Sequence, residues 1–138
     1  MLTVYRSDRA RSGLLLAHGA GAGQRSRFMI EAAQALAARG VTTATFDFPY
    51  VTAGRKVPDK GPVLESAWRD AIAAARAHDA FERLPLFIGG KSMGGRVASM
   101  VAEELFQAKK VAGLFCLGGQ RRGLGFYVVL GTGGARSA

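Results

Sequence analysis

A serine flanked by glycines is the strongest candidate for a chemically active group in this sequence. Gly90, Lys91, Ser92, Met93 and Gly94 match the pattern GxSxG. The pattern lies between a predicted strand and a predicted helix, which is the setting of a nucleophile elbow. At such a turn the serine hydroxyl is exposed above the sheet edge, and the helix N-terminus favours a developing negative charge. A serine N-cap in a tight glycine-rich turn is the alternative interpretation.

A glycine-rich loop follows the first predicted strand and is the second candidate. It reads His18-Gly19-Ala20-Gly21-Ala22-Gly23. In an α/β architecture a loop at this place can turn a backbone N–H toward the nucleophile, so Ala20 and Met93 are the expected donors of an oxyanion hole. His18 could serve as a base, but a histidine beside a glycine turn more often shapes the loop through hydrogen bonds to the backbone. Lys91 is expected to face solvent.

Dinucleotide binding is a competing interpretation of the same loop, because GAGAG follows a strand and Asp47 ends the next predicted strand. The spacing disagrees with GxGxxG, since the third glycine is Gly23 and Gln24 occupies the position that the pattern requires. The following helix also begins too late to cap a pyrophosphate. The sequence contains no metal-ligand spacing. We therefore expect neither a cofactor nor a metal.

The elements that must position these residues follow from periodicity. Apolar or β-branched runs predict strands over residues 13–17, 41–48, 84–89 and 111–117, with a further edge strand over 2–6. Helical spacing predicts helices within 28–40, 63–75 and 93–107. Strands that alternate with helices predict a doubly wound, mostly parallel α/β sheet. Residues 1–118 are expected to form one domain, and residues 119–138, which contain six of the 19 glycines, an irregular tail.

Composition excludes several classes of function. The net charge is +9, but 14 of the 19 Lys+Arg and all 10 Asp+Glu lie in residues 1–104, and no basic run is interleaved with aromatics as in single-strand binders. The N-terminal residues show no export signal, and the longest apolar run is far shorter than the ~20 residues that span a bilayer. Cys116 is the single cysteine, which fits a reducing compartment. We expect a cytoplasmic protein that binds neither nucleic acid nor membrane.

Four motifs in register resemble a known family. They read LLLAHGAGAG, FDFPY, GRKVPD and LFIGGKSMGGRVAS. Their order and spacing are similar to the alpha/beta-hydrolase-like family that includes the third subunit of the non-specific lethal chromatin complex, a testis-expressed relative and small bacterial proteins akin to dienelactone hydrolases. The resemblance covers about residues 13–117. It implies that Ser92 is the nucleophile and that the loop from His18 to Gly23 is its oxyanion partner.

The sequence departs from this family after Ser92. In this fold the catalytic acid and histidine follow the nucleophile, whereas no Asp and no His follow Ser92, and Glu103 and Glu104 lie in the predicted helix. His78 precedes the serine and is expected on the solvated side of a helix end. We therefore expect a C-terminally incomplete domain, truncated after the strand that follows the elbow helix.

Two functions remain open at this point. The first is a serine-hydrolase-type domain that acts on an ester or related acyl bond of a small molecule, impaired because the base and acid of the triad are missing. The alternative is a non-catalytic binding or interaction module that retains the elbow. Because the sheet would be cut short, the strand over 111–117 is expected to leave an exposed edge through which copies of the chain self-associate.

Overall fold

The computed structural model describes the backbone of residues 1–120, 123–130 and 135–137 and the side chains of residues 1–114. Four α-helices and seven strands occur within this part of the chain. The strands are β1 (Thr3–Tyr5), β2 (Ser12–Ala17), β3 (Val41–Phe46), β4 (Leu86–Lys91), β5 (Gly113–Gln120), β6 (Gly123–Leu130) and β7 (Ala135–Ser137). The helices are α1 (Arg27–Ala38), α2 (Pro49–Thr52), α3 (Gly61–Ala77) and α4 (Met93–Gln107), and a short 3₁₀ helix covers Asp79–Phe81.

The strands form one mixed sheet in the order β1-β3-β2-β4-β5-β6-β7. Strands β2, β3, β4 and β5 are parallel to their neighbours within this group, and β1 joins antiparallel to β3. The chain moves from β2 to β3 on one side and then to β4 on the other. The carboxyl ends of β2 and β4 therefore flank the switch point of the sheet, where ligands bind in open α/β folds. The α/β fold class expected from the sequence is confirmed.

Helices cover both faces of the sheet, which is why the central strands are apolar on both faces. On one face Leu14 and Leu16 of β2 pack with Met29 of α1. On the other face Leu15 and Ile88 belong to the larger cluster that α3 and α4 also form. That cluster contains the largest buried side chains, among them Phe46, Phe48, Trp68 and Phe81.

Most predicted elements are present, with shifted ends. α4 has the predicted bounds, whereas β3 stops at Phe46 instead of residue 48, and β4 begins at Leu86 instead of residue 84. The late start of β4 follows from Pro85, which has no N–H for a sheet hydrogen bond. β3 stops because the Phe48 N–H donates to His18 Nε2 over 3.1 Å, and Pro49 then occupies the first turn of α2, a helix that the sequence analysis treated as loop.

Residues 119–138 were expected to form an irregular tail, but strands β6 and β7 occur in the part of this range that the structure describes. Backbone pairing joins β5 to β6 and β6 to β7, both antiparallel. The sheet continues past residue 118 because β6 pairs with the backbone groups that β5 would otherwise leave unpaired. The register runs from Gly113 opposite Leu130 to Gln120 opposite Gly123. The edge of β5 that was expected to be exposed is thus paired. Self-association of the chain and the domain boundary at residue 118 stay predictions. Cys116 lies outside the residues whose side chains are described.

Candidate active site

The turn between β4 and α4 consists of one residue, Ser92. Its backbone has φ 50° and ψ −113°, a left-handed conformation that residues other than glycine rarely adopt. The Ser92 side chain is exposed and does not cap the helix, although its carbonyl accepts a hydrogen bond from the Arg96 N–H over 2.9 Å. An N-cap role for the hydroxyl, the alternative raised from the sequence, therefore disagrees with the geometry. The strained turn instead presents the hydroxyl to solvent, as a nucleophile elbow does.

The two glycines of the motif are explained by close backbone packing. A Cβ atom at Gly90 would lie 2.5 Å from the carbonyl carbon of Gly94 and 2.9 Å from the Ala17 carbonyl oxygen. At Gly94 it would lie 2.7 Å from that same oxygen and still closer to the His18 carbonyl oxygen. Since these neighbours are backbone atoms, they cannot rotate away. The start of α4 thus rests directly on the end of β2, and only glycine fits at both positions.

The glycine-rich loop lies beside the elbow because its strand pairs with the elbow strand. Ala17, the last residue of β2, is in register with Gly90 of β4. A Cβ atom at Gly19 would lie 3.2 Å from the Lys91 carbonyl oxygen and 3.6 Å from the Ser92 Cβ atom. The residues that the sequence analysis assigned to the nucleophile and to the oxyanion loop therefore converge at one point of the sheet edge.

The N–H groups of Ala20 and Met93 are the expected donors to a negative charge at this point. Met93 is the first residue of α4, where the N–H has no partner within the helix and the helix dipole is positive. Ala20 and Gly21 are exposed at the tip of the glycine loop, and Gly21 has φ 77°. The arrangement is compatible with Ala20 and Met93 as oxyanion donors, which stays a prediction.

His18 is a loop-shaping residue in this structure. It is fully buried, its Nδ1 lies 2.8 Å from the Gly19 carbonyl oxygen, and its Nε2 accepts from the Phe48 N–H over 3.1 Å. These partners assign the neutral tautomer with the proton on Nδ1. Burial lowers the pKa of His18, while the Gly19 carbonyl and the charge of Asp47 act in the opposite direction. With both nitrogens engaged, His18 has none left to take a proton from Ser92.

The loop that follows β3 supports the glycine loop from the other side. Asp47 Oδ1 accepts from the Gln24 N–H over 2.8 Å, and Asp47 Oδ2 accepts from Gln24 Nε2 over 3.2 Å. Gln24 Oε1 in turn accepts from the Thr45 hydroxyl over 3.0 Å. Asp47 is therefore a structural partner of the loop rather than the ribose ligand of the dinucleotide alternative.

Asp59 and Tyr50 are residues that the sequence analysis did not assign to the site. Asp59 Oδ2 accepts from the Tyr50 N–H over 2.8 Å, and Asp59 Oδ1 is 3.0 Å from Arg55 Nη2. The Asp59 side chain is almost buried, whereas that of Arg55 is largely exposed. Asp59, which lies in a proline-rich loop ten positions after Pro49, caps the N-terminus of α2. The sequence alone could not reveal this cap, because it predicted no helix at Pro49.

Lys91 does not simply face solvent. Its Nζ lies 4.4 Å from the centre of the Phe28 ring, at the start of α1. The residue itself is exposed. The contact is a cation–π interaction that joins the elbow to α1, so the sequence-based expectation for Lys91 is only partly correct.

Among the side chains that the structure describes, no histidine and acidic residue join Ser92 in a complete catalytic triad. None of the side chains of residues 1–114 makes a hydrogen bond with the Ser92 hydroxyl. His78 lies between α3 and the 3₁₀ helix, before β4 begins, and its Nδ1 accepts from the Ala80 N–H over 3.0 Å. It is thus at the opposite end of β4 from Ser92. Among the described residues there is also no group of three or more His, Cys, Asp or Glu that could hold a metal ion.

No helix in the described part of the chain is long and apolar enough to cross a bilayer.

A groove of about 550 Å³ lies next to α2 and α3. It is lined by Phe46, Asp47, Pro49, Asp70 and neighbouring residues and does not include Ser92 or the glycine loop. The candidate site is therefore distinct from this groove.

Comparison with solved structures shows the same fold in several hydrolases. Dienelactone hydrolase from Anabaena variabilis has 20% sequence identity and a TM-score of 0.70, over 85% of this chain and 55% of that chain. An α/β serine hydrolase without a lid from Xanthomonas campestris has 21% identity and a TM-score of 0.65, over 76% of this chain and 50% of that chain. An α/β serine hydrolase homologue from Coxiella burnetii has 18% identity and a TM-score of 0.63, over 75% of this chain and 51% of that chain.

The chain spans about half the length of these structures. A sequence comparison with curated proteins finds no significant match. A family profile described as an alpha/beta hydrolase domain matches residues 10–119, a range that includes the glycine loop, the elbow and the parallel part of the sheet. On the strength of this match, and of a fold shared with serine hydrolases, the chain belongs to the alpha/beta hydrolase domain family.

Proposed function

We propose that this chain supplies the nucleophile and oxyanion-hole half of a serine hydrolase site that acts on an ester or related acyl bond of a small molecule. The observation that carries the proposal is the strained backbone of Ser92 with the glycine loop packed against it. A non-glycine residue in a left-handed conformation persists only where the surrounding structure imposes it, and such residues are concentrated at functional sites.

The chemistry follows from the groups at the sheet edge. The Ser92 oxygen attacks the acyl carbon and forms an acyl–oxygen bond, the alcohol of the ester leaves, and water later releases the acid. The carbonyl oxygen carries negative charge during attack, and the N–H groups of Ala20 and Met93 are the proposed donors to it. The Ser92 proton needs a base. Since His18 is engaged and no other described side chain hydrogen-bonds Ser92, turnover by this chain is proposed to be impaired.

A fluorophosphonate probe tests the proposal because phosphorus is a strong electrophile and only one covalent step is required. The product is an ester between phosphorus and the Ser92 oxygen, with fluoride as the leaving group. Because the Ser92 proton has no base among the described side chains, we expect slow labelling that reaches one label per chain by intact mass, mapped to Ser92 by peptide mass spectrometry and absent from Ser92→Ala. Ser66→Ala, at an exposed position of α3, is the matched control and should label as wild type does. Labelling that survives Ser92→Ala would contradict the proposal.

A non-catalytic binding module is the second candidate. It is favoured by the engaged nitrogens of His18 and the lack of a hydrogen-bonded partner for Ser92 among the described side chains. A folded protein that takes up no label over hours, at a probe concentration that saturates an active serine hydrolase, would support this function and reject the first.

Within the family, we propose a relationship to the dienelactone-hydrolase-like members that include the third subunit of the non-specific lethal chromatin complex. The four motifs carried by the sequence in register support this placement. We propose a cytoplasmic location, with which a single cysteine agrees.

A further inference from the structure

Lys91 is a charged side chain next to the candidate nucleophile, and the proposed chemistry gives it no role. It is the last residue of β4, directly before Ser92, and it is exposed. Its Nζ lies 4.4 Å from the centre of the Phe28 ring. Phe28 packs against the buried cluster between β2 and α1. Because this packing fixes the ring, the contact holds the ammonium group of Lys91 on the α1 side of the elbow.

No carboxylate neutralises the Lys91 ammonium group within residues 1–114. Glu31, one turn after Phe28 in α1, pairs with Arg27 over 2.7 Å. The other ion pairs among these residues do not include Lys91 either. An ammonium group has three N–H donors, so contact with one ring face leaves donors for an anion. Lys91 is therefore a cation held beside Ser92 that can still bind a negatively charged group.

Two further cations flank the elbow, and neither has an acidic partner in this part of the chain. Arg25 is exposed at the end of the glycine loop, one residue before the N-cap of α1. Arg96 is exposed in α4, one helical turn after Ser92, and helical side chains lean toward the helix N-terminus. Asp47, an acid at the same sheet edge, is occupied by two hydrogen bonds from Gln24. The surroundings of Ser92 therefore carry positive charge that these acids do not neutralise.

We propose that Lys91 is a specificity-determining residue that binds a carboxylate carried by the acyl substrate, and that Arg25 and Arg96 add to the attraction. The ammonium group, held against Phe28, pairs with this carboxylate while the acyl carbon lies at Ser92. Charges of one sign around a site also increase the rate at which ligands of the opposite sign arrive. The inference rests on the proposed function and names its substrate class, an ester with a negative charge.

Two fluorophosphonates of equal chain length test the proposal in the full chain. One ends in a carboxylate and the other in a carboxamide of nearly the same shape. The measured quantity is the ratio of their second-order labelling rate constants, because slow chemistry at Ser92 affects both probes equally. At low ionic strength we expect Lys91→Gln to lower the carboxylate-to-carboxamide ratio about 2- to 5-fold, the size of an exposed ion pair. At about 1 M salt this difference should disappear, because exposed charges are screened.

Lys91→Arg and Lys110→Gln are the control variants. Arginine keeps the charge and stacks on aromatic rings, so Lys91→Arg should retain the wild-type ratio. Lys110 is exposed and lies beyond the C-terminus of α4, at the opposite end of that helix from Ser92. Lys110→Gln therefore removes the same charge at a distance and should leave the ratio almost unchanged. A ratio in Lys91→Gln equal to that in Lys110→Gln would overturn the proposal.

Binding measured by NMR gives a second readout that does not depend on labelling. The probe is N-butylsuccinamate, an anionic amide that lacks the scissile ester. Its titration should shift the backbone amide signals of Lys91 and Ser92, and Lys91→Gln should weaken this binding about 2- to 5-fold. Absence of these shifts in the wild type would overturn the proposal. If they occur but neither fluorophosphonate labels Ser92, the hydrolase function fails while the carboxylate site stands.

Discussion

Replacement of Ser92 by glycine should stabilise this protein while it abolishes reaction with the probe. Ser92 has φ 50° and ψ −113°, and a non-glycine residue in such a region costs about 1–3 kcal/mol. Glycine adopts the same backbone without that cost but gains about 0.4–1 kcal/mol of entropy in the unfolded chain. The Ser92 side chain is exposed and makes no hydrogen bond with the side chains of residues 1–114 that would be lost. We therefore expect a net gain of about 0.5–2 kcal/mol in the free energy of unfolding.

Urea unfolding followed by tryptophan fluorescence measures this change. Trp68 is the single tryptophan, is fully buried, and donates from Nε1 to the Gly94 carbonyl over 3.2 Å, so it reports directly on the packing of α4 beneath the elbow. For a domain of this size the expected gain corresponds to an increase in Tm of about 2–8 °C.

Two control variants separate strain from chemistry. Ser92→Ala removes the hydroxyl but keeps the Cβ atom, so its stability should lie close to that of the wild type. Ser66→Gly, in the middle of α3, should lose about 0.5 kcal/mol, because glycine disfavours a helix. If Ser92→Gly is no more stable than Ser92→Ala, the elbow is not strained, and the main argument for a nucleophile at this position fails.

Three further perturbations test the surroundings of the site. Gly94→Ala should lower the free energy of unfolding by at least about 1–3 kcal/mol and abolish labelling, since its Cβ atom would overlap the backbone of Ala17; a variant with wild-type stability would refute the packing. Because burial lowers the pKa of His18 from its ordinary value of 6.5, the unfolded chain binds the proton first, so stability should be full above pH 6.5 and decrease as the pH falls below it. Urea titrations between pH 5 and 8 measure this decrease, and a His18 NMR titration at or above 6.5 would contradict it. Asp59→Ala should cost about 1–2 kcal/mol by removing the cap of α2, and Arg55→Ala less than about 1 kcal/mol because that arginine is exposed; equal losses in urea unfolding would argue against the cap.

The parallel part of the fold was predictable because its strands and helices have strong local signals. The buried strands β2 and β4 are near-continuous apolar runs, and the small and apolar residues of α4 repeat at helical spacing, so their existence and order follow from the sequence. Helix α2 could not be predicted, since four residues of loop-like composition become helical only through the tertiary cap from Asp59. The pairing of β6 with β5 was not predicted either, because residues 119–138 show no regular period in the sequence.

The candidate site also has a part that the sequence predicts and a part that it does not. The GxSxG pattern and the glycine loop could be predicted, because close approach of two backbone segments requires glycine and the glycines can be read directly from the sequence. The environment of His18 was less accessible, since its Nε2 partner is the backbone of Phe48, thirty residues later. The hydrogen bonds of Gln24 with Asp47 and Thr45 also join separate strands and loops. Such long-range polar contacts have no local spacing that a single sequence could reveal.

The elbow and the glycine loop behave as one packing unit because backbone atoms of each limit the space at the glycines of the other. The Ala17 carbonyl oxygen bounds the space at Gly90 and at Gly94, and the Lys91 carbonyl oxygen bounds that at Gly19. The separation between the Ser92 hydroxyl and the loop is therefore set by the pairing of β2 with β4, and not by any side chain of the site. It follows that the orientation of the loop around Ala20 is what side chains can still adjust, and His18 is placed to do so through its contact with the Gly19 carbonyl. Substitution of His18 should change reactivity at Ser92 without moving the elbow.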